Sequence, residues 1–323
     1  MTPKPIFILS APRSGSTLLQ RVLAAHSEIT TASEPWLLLP VLSPLYPSLP
    51  APGARDPLIH DALEDFVATL PDERGSYRDA VREFALRLYG GAAQEQESTY
   101  FVDKTPLYHL ILDEIFATFP DGRFLFLFRN PLSVVASCVE LFDHGRWEVA
   151  RYHMALFQSF ADLVPAAERY ADRSLVVRFE DLVSGEETRW RAIVEYLGLG
   201  WEPQMLGQFT HVGLRGRMGD PTGVRTYEHL STEPLEKWRA TIASPVRRVW
   251  CMRYLRWIGA DRLATMGYDL ADLQRQLTLT GGGAGQTFDD TRRMATSLGR
   301  EILKAHSPRF TSRASTWRAL LRA

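Results

Sequence analysis

The chain has 323 residues, 45% of them hydrophobic, with 37 Lys and Arg against 38 Asp and Glu and a formal net charge of -1. That is enough apolar sequence for one large core or two modest ones. The balanced charge argues against a nucleic-acid binder, so any anion site has to be built locally. Cys138 and Cys251 are the only cysteines; both stand in apolar, helix-like contexts and read as small buried hydrophobes, and no Cys/His spacing suits a metal. The N-terminus does not read as a secretory signal, because the apolar run Ile6–Leu9 is short and leads straight into Pro12-Arg13. The stretch "PWLLLPVLSPLYPSLP" (35–50) is too interrupted by proline to span a membrane. A soluble protein of a reducing, cytoplasmic compartment is expected.

The first element is the apolar strand "IFILS" (6–10), which runs through "APRSG" into a helical pattern over Thr17–Ala25. Gly15 permits close backbone approach, and Ser16 and Thr17 open the helix. Turn N–H groups, the helix start and two hydroxyls therefore converge on one anion. A nucleoside-triphosphate loop would carry lysine where this chain has Ser16, which argues against a kinase or ATPase. A 5′-phosphate with one neighbouring group, held without metal, matches the smaller charge. Next come Glu34 and a proline-rich, greasy segment (35–57), expected to be a loop or lid beside an acceptor, with packing of its leucines inside the fold as the equal alternative.

A helix is expected over Tyr77–Tyr89, a strand at "YFVDK" (100–104) and a helix over Leu107–Phe119. They are followed by the strand "RFLFLFR" (123–129), helices over Leu132–Phe142 and Trp147–Tyr170, and the strand "LVVRFE" (175–180). The strands are apolar throughout rather than alternating, as in parallel strands covered on both faces. Strand and helix alternate, so the fold class is α/β: a doubly wound, mainly parallel sheet flanked by helices, with ligands beyond the carboxyl ends of the strands. Trp147, Tyr152 and His153 suit either a stacking surface for sugar or core packing.

"RFLFLFRNPLSVVASCVELF" (123–142) supplies a second anion site: Arg129 ends a strand, Asn130-Pro131 turns the chain, and Ser133 and Ser137 share one face of the next helix. Two such units in one chain carry a resemblance. "APRSGSTLL" resembles the 5′-phosphosulfate loop of the sulfotransferases, and "LFRNPLSVVAS" resembles their 3′-phosphate motif, with Arg129 and Ser137 eight residues apart. "VVRFEDLV" (176–183) and "LEKW" (235–238) stand in family-like positions, and the likeness covers roughly residues 5–270. It implies a P-loop-like sulfotransferase fold and 3′-phosphoadenosine 5′-phosphosulfate (PAPS) as donor, used without metal. It also implies donor binding by Arg13, Ser14, Gly15, Ser16, Thr17, Arg129 and Ser137, with Phe179 approaching the nucleotide and Lys237 meeting a phosphate.

Lys104, at the end of its strand, is the candidate cation for the leaving phosphate, with Asp103 either orienting it or facing solvent. Cytosolic members of the family follow the corresponding lysine with Thr-His and use that histidine as base; here the position is Pro106, which takes no proton. Glu34 stands where tyrosylprotein and some glycan sulfotransferases place a catalytic glutamate, so it is the candidate base. His109 is the runner-up, and His26 is expected to cap the first helix. The acceptor is expected to be a hydroxyl of a carbohydrate, a lipid-linked sugar or a small natural product. Rival readings are a small-molecule P-loop kinase and a catalytically silent nucleotide-binding adaptor. Residues 1–275 form the sulfotransferase domain on this reading. Residues 276–323 form a Gly-rich linker and a basic tail (Arg292, Arg293, Arg300, Lys304, Arg309, Arg313, Arg318, Arg322), expected to be solvated, or to touch a membrane surface or a partner, and to be separable from donor binding.

Overall fold

A computed structural model describes residues 3–46, 57–94, 97–216, 229–281 and 287–305. Its centre is a sheet of five strands: β1 (Lys4–Ser10), β2 (Ile29–Thr31), β3 (Tyr100–Asp103), β4 (Arg123–Phe128) and β5 (Ser174–Arg178). The order is β2-β3-β1-β4-β5, and every pairing is parallel. β1 lies centrally, with β3 on one side and β4 on the other. Chain connections therefore diverge at its carboxyl end, which is where doubly wound sheets open a crevice.

Alternation along the strands divides the core into two layers. Ile6 and Ile8 of β1, Leu125 and Leu127 of β4 and Val102 of β3 face one side. There they pack on Leu19, Val22 and Leu23 of α1 (Ser16–Leu23) and on Trp190, Ile193 and Val194. Phe7, Leu9, Phe101, Phe124, Phe126 and Phe128 face the other side. Both sides of each central strand are buried, which is why the sequence runs apolar without alternation. The second layer is rich in rings: Phe116 stacks on Phe124 at 3.9 Å and on Tyr170 at 3.8 Å. The helices that cover the sheet and flank the site are α2 (Glu73–Gln94), α3 (Leu112–Thr118), α4 (Pro131–Asp143), α5 (Ser159–Arg169), α6 (Phe179–Val183), α7 (Glu187–Leu197), α8 (Pro245–Ile258), α9 (Leu270–Leu279) and α10 (Thr287–Ala305).

Several expectations are corrected. The segment read as a lid is short helical turns at Leu39–Leu42 and Ser43–Leu45, each with a proline in its first positions. Leu38, Leu39, Leu42 and Leu45 are buried in the second core layer; residues 47–56 lie outside the described residues. The helix expected over Trp147–Tyr170 is a 3₁₀ turn at Val149–Tyr152, a π turn at Met154–Gln158 and then α5. Trp147, Tyr152 and His153 are all buried, with Trp147 edge-on to Trp250 at 5.6 Å, so they are core and not a stacking surface. Part of the segment read as linker is the last turn of α9, where Leu277 is fully buried. The tail begins as α10, and Asp290 on it is buried against α8 rather than solvated. Arg309, Arg313, Arg318 and Arg322 lie outside the described residues.

Candidate active site

The ends of all five strands bring candidate residues to the carboxyl edge of the sheet. β1 passes into a turn in which Arg13 (φ 69°) and Gly15 (φ 88°) are left-handed. At Gly15 no other residue fits, because an added Cβ would lie 2.2 Å from the Phe179 ring. Gly15 caps α1 without a side-chain hydrogen bond, so the first N–H groups of the helix are open to an anion. The Ser14 hydroxyl is buried with no hydrogen-bond partner among the described residues, which fits a loop shaped for an acceptor from outside the protein.

The second loop meets the first. Arg13 Nε donates to Ser137 Oγ at 3.1 Å, across 124 residues of sequence. Arg129, just past β4, donates through Nη1 to the Arg13 carbonyl at 3.1 Å and through Nη2 to the Pro234 carbonyl at 3.2 Å. Its guanidinium lies 4.4 Å from the centre of the Phe179 ring. Arg13, Gly15, Thr17, Arg129, Ser137, Phe179 and Lys237 all line one cavity of about 370 Å³. Lys237 stands at its rim, half-exposed and 3.0 Å from Glu233. Ser14 and Ser16 are buried in the turn and the helix start.

Glu34 and Lys104 stand together, outside that cavity's lining. Lys104 Nζ donates to Glu34 Oε1 at 2.7 Å; the lysine side chain is 1% exposed and the glutamate 10%. The Trp36 indole N–H holds the other oxygen, Oε2, at 3.1 Å. Trp36 is itself left-handed (φ 53°), an uncommon state for a bulky residue, and its backbone N–H donates to Thr105 Oγ1 at 3.2 Å. The alternative bases are engaged elsewhere. His109 is buried, with Nδ1 2.7 Å from Asp162 Oδ2 of α5. Nδ1 of His26 accepts from the Glu28 N–H at 3.1 Å, and its Nε2 donates to the Gly200 carbonyl at 2.8 Å, so it pins the end of the first helix.

Asp103 does not face solvent. It is fully buried, and its carboxylate accepts from Tyr89 at 2.6 Å, Tyr108 at 2.8 Å and Thr105 at 3.1 Å. Burial pushes its pKa from 3.8 up to about 6, with the three hydroxyls and Lys104 pulling the other way. A carboxyl whose folded pKa exceeds its unfolded value binds its proton more tightly in the fold. Its contribution to stability is therefore full below pH 3.8 and is lost as pH rises through about 6. The wild type is expected to lose on the order of 3 kcal/mol of this contribution across that window, and Asp103→Asn to lose none of it. Denaturant midpoints of both proteins at about pH 4 and about pH 7 check this; parallel changes in the two would assign the pH dependence to other groups.

Two residues of the site were not singled out in the sequence. Glu180 accepts from the Asn130 N–H at 3.0 Å and from the Tyr268 hydroxyl at 2.5 Å, so it ties the loop after β4 to the rest of the fold. Arg21 lines the cavity from α1, donating to the Thr210 carbonyl at 2.6 Å, and burial lowers its pKa. Burial pushes the Cys138 thiol up to about 12, in keeping with a packing role. Among the described residues no group of three or more His, Cys, Asp or Glu is placed to hold a metal ion, and no helix is long and apolar enough to cross a membrane.

The sulfotransferase family pattern matches residues 5–203. The chain is similar to Nodulation protein NoeE of Sinorhizobium fredii, 26% identical over 308 residues that cover 83% of this chain and 67% of the relative. It is similar to Protein-tyrosine sulfotransferase 1 of Danio rerio, 23% identical over 276 residues, covering 82% of this chain and 72% of the relative. Among solved structures, the sulfotransferase domain from the curacin biosynthetic pathway superposes with a TM-score of 0.54 at 21% identity, over 83% of this chain and 98% of that one. The sulfotransferase domain of the Synechococcus PCC 7002 olefin synthase gives 0.51 at 24% identity, over 74% and 88%. These two superpositions speak to the fold. The family match goes further, since it spans all five strands and the loops that follow β1 and β4: this chain belongs to the sulfotransferase family, enzymes of the EC 2.8.2 type whose donor is PAPS.

Proposed function

We propose that this sulfotransferase sulfates a hydroxyl of a carbohydrate, a lipid-linked sugar or a small natural product, with Glu34 as general base and Lys104 as the cation beside the leaving phosphate. The observation that carries this reading is the 2.7 Å contact of Lys104 with Glu34 at the sheet edge that also holds the two anion-binding loops. Arg13, Ser14, Gly15, Ser16 and Thr17 would hold the 5′-phosphosulfate and Arg129 and Ser137 the 3′-phosphate, with Phe179 against the nucleotide and Lys237 at a phosphate. The uncapped helix start, the unpartnered Ser14 hydroxyl and the Arg13–Ser137–Arg129 cluster fit that donor. When bound, the donor supplies an activated sulfuryl group for in-line transfer.

The chain's own groups then have to remove a proton and balance charge. Lys104, an ammonium at the carboxyl end of β3 that holds Glu34, is the group that would meet a phosphate oxygen. Each Glu34 oxygen keeps a lone pair beyond its bond to Lys104 or Trp36, and one of them receives the acceptor's proton. The partly exposed Trp36, Leu37 and Tyr46 in the segment that follows Glu34 favour an acceptor with an apolar body. The family's protein-tyrosine members make a tyrosyl peptide the control in an acceptor screen.

Calorimetric titration with adenosine 3′,5′-bisphosphate beside ATP and Mg²⁺ tests the donor site. Metal-independent binding of the bisphosphate alone is expected; the reverse preference would return the kinase reading. Donor binding without transfer to any acceptor would favour the adaptor. Arg129→Ala is expected to weaken the bisphosphate by about 10- to 100-fold, as for a lost charge-assisted contact. Adenosine 5′-phosphate, lacking the 3′ group, should lose far less. Equal losses would move the 3′-phosphate away from Arg129.

A further inference from the structure

We propose that Asp103 is a positioning residue of the transfer site: through Thr105 and Tyr108 its carboxylate seats the Glu34–Leu38 segment on the end of β3 and so sets where the Glu34 carboxylate faces. The functional half of this inference rests on Glu34 being the base; the seating does not.

Thr105 Oγ1 donates to Asp103 Oδ1 at 3.1 Å, and the Tyr108 hydroxyl donates to Oδ2 at 2.8 Å. A hydroxyl has one proton, and a carboxylate only accepts, so both hydroxyls turn their lone pairs elsewhere. They turn them to the neighbouring segment: the Trp36 N–H donates to Thr105 at 3.2 Å and the Leu38 N–H to Tyr108 at 3.2 Å. Two residues apart, these contacts hold the backbone on either side of Leu37. Trp36 between them and Glu34 has φ 53°, a conformation that persists only where its surroundings impose it. From that backbone the indole reaches back to Glu34 Oε2 at 3.1 Å, while Lys104, the residue after Asp103, takes Oε1. One buried carboxylate thus orders the Trp36 arm of the grip on the candidate base, and stands next in the chain to the lysine that supplies the other arm. Tyr89 of α2 also bonds Asp103 Oδ2, at 2.6 Å, but neither the Trp36 nor the Leu38 arm passes through it, which makes it the comparison residue.

The test uses Thr105→Val, Thr105→Ser and Tyr89→Phe. The first readout is the indole ¹H–¹⁵N resonance of Trp36, assigned by its loss in Trp36→Phe. The second is release of adenosine 3′,5′-bisphosphate from PAPS in water, which needs no known acceptor. The third is affinity for the bisphosphate. Thr105→Val is expected to move the Trp36 resonance and slow release by about 10²-fold, with bisphosphate affinity unchanged. Thr105→Ser should restore both, and Tyr89→Phe, which leaves both arms in place, should change both by less than Thr105→Val does. Tyr108→Phe, which removes the Leu38 arm, repeats the test should Thr105→Val fail to fold. An unmoved Trp36 resonance in both variants would overturn the seating. Equal losses in Tyr89→Phe and Thr105→Val would overturn it too, by showing a cluster that serves only packing. A moved resonance with unchanged release would support the seating and overturn Glu34 as base.

Discussion

Glu34→Gln is expected to bind adenosine 3′,5′-bisphosphate as the wild type does and to lose about 10²–10⁴-fold in sulfuryl transfer, the usual range for a removed general base. Binding should survive because Glu34 does not line the cavity shared by the loops after β1 and β4. The amide takes no proton at neutral pH, and it presents an N–H₂ where the carboxylate presented an acceptor. One of its two neighbours, Lys104 Nζ or the Trp36 indole, would then face a donor. Part of the loss would therefore come through Lys104, and a cycle with Lys104→Met separates the two: groups that act as a unit give a double variant no worse than the poorer single one. Near-normal turnover in Glu34→Gln would move the base elsewhere. His109 would then have to leave Asp162 and its buried site to serve.

The features legible in the sequence are those that repeat locally. Ile6–Leu9 and Phe124–Phe128 are apolar without a break because both faces are covered, so the strands and the turns after them could be read directly. The candidates on those turns, Arg13 and Arg129, could be named for the same reason. Their meeting could not be read: Arg13 reaches Ser137 only because β4 lies beside β1, and strand order is not written in periodicity. β2 has three residues, too few to show a period, yet it is the strand that brings Glu34 up beside the end of β3. From sequence Asp103 reads equally as orienting Lys104 or as facing solvent, because a carboxylate at a strand end usually meets water; hydroxyls from Tyr89 and Tyr108 bond it in the interior instead. The leucines after Glu34 read as an acceptor lid because proline breaks them into short runs. Short helical turns that begin at those prolines put Leu38, Leu39, Leu42 and Leu45 into the core.

Asp290→Ala is expected to cost about 3–5 kcal/mol of stability, the range for removing one member of a buried ion pair. Asp290 is 1% exposed and receives Arg247 through two bonds, Nη2 to Oδ1 at 2.8 Å and Nε to Oδ2 at 2.9 Å. The Ser244 hydroxyl adds a third bond at 2.6 Å. Arg247 also donates to the Thr241 carbonyl at 2.7 Å and the Gly145 carbonyl at 2.9 Å, and its guanidinium lies 5.1 Å from the centre of the Trp147 ring. Without its carboxylate this arginine would remain desolvated and charged. The strain should reach the cavity proposed to hold the donor, because Thr241 and Trp238 line it and Thr241 holds Glu140 at 2.7 Å. With the donor in this cavity, a tail anchored in this way is expected to be coupled to donor binding, against the separable tail expected from sequence. Asp290→Ala should lower the denaturation midpoint and weaken the bisphosphate, whereas Arg247→Met with Asp290→Leu should recover the midpoint, since apolar residues of similar size replace a buried pair at little cost. A single variant as stable as the wild type would show that the α10 contact contributes little, and would restore the tail as a separable segment.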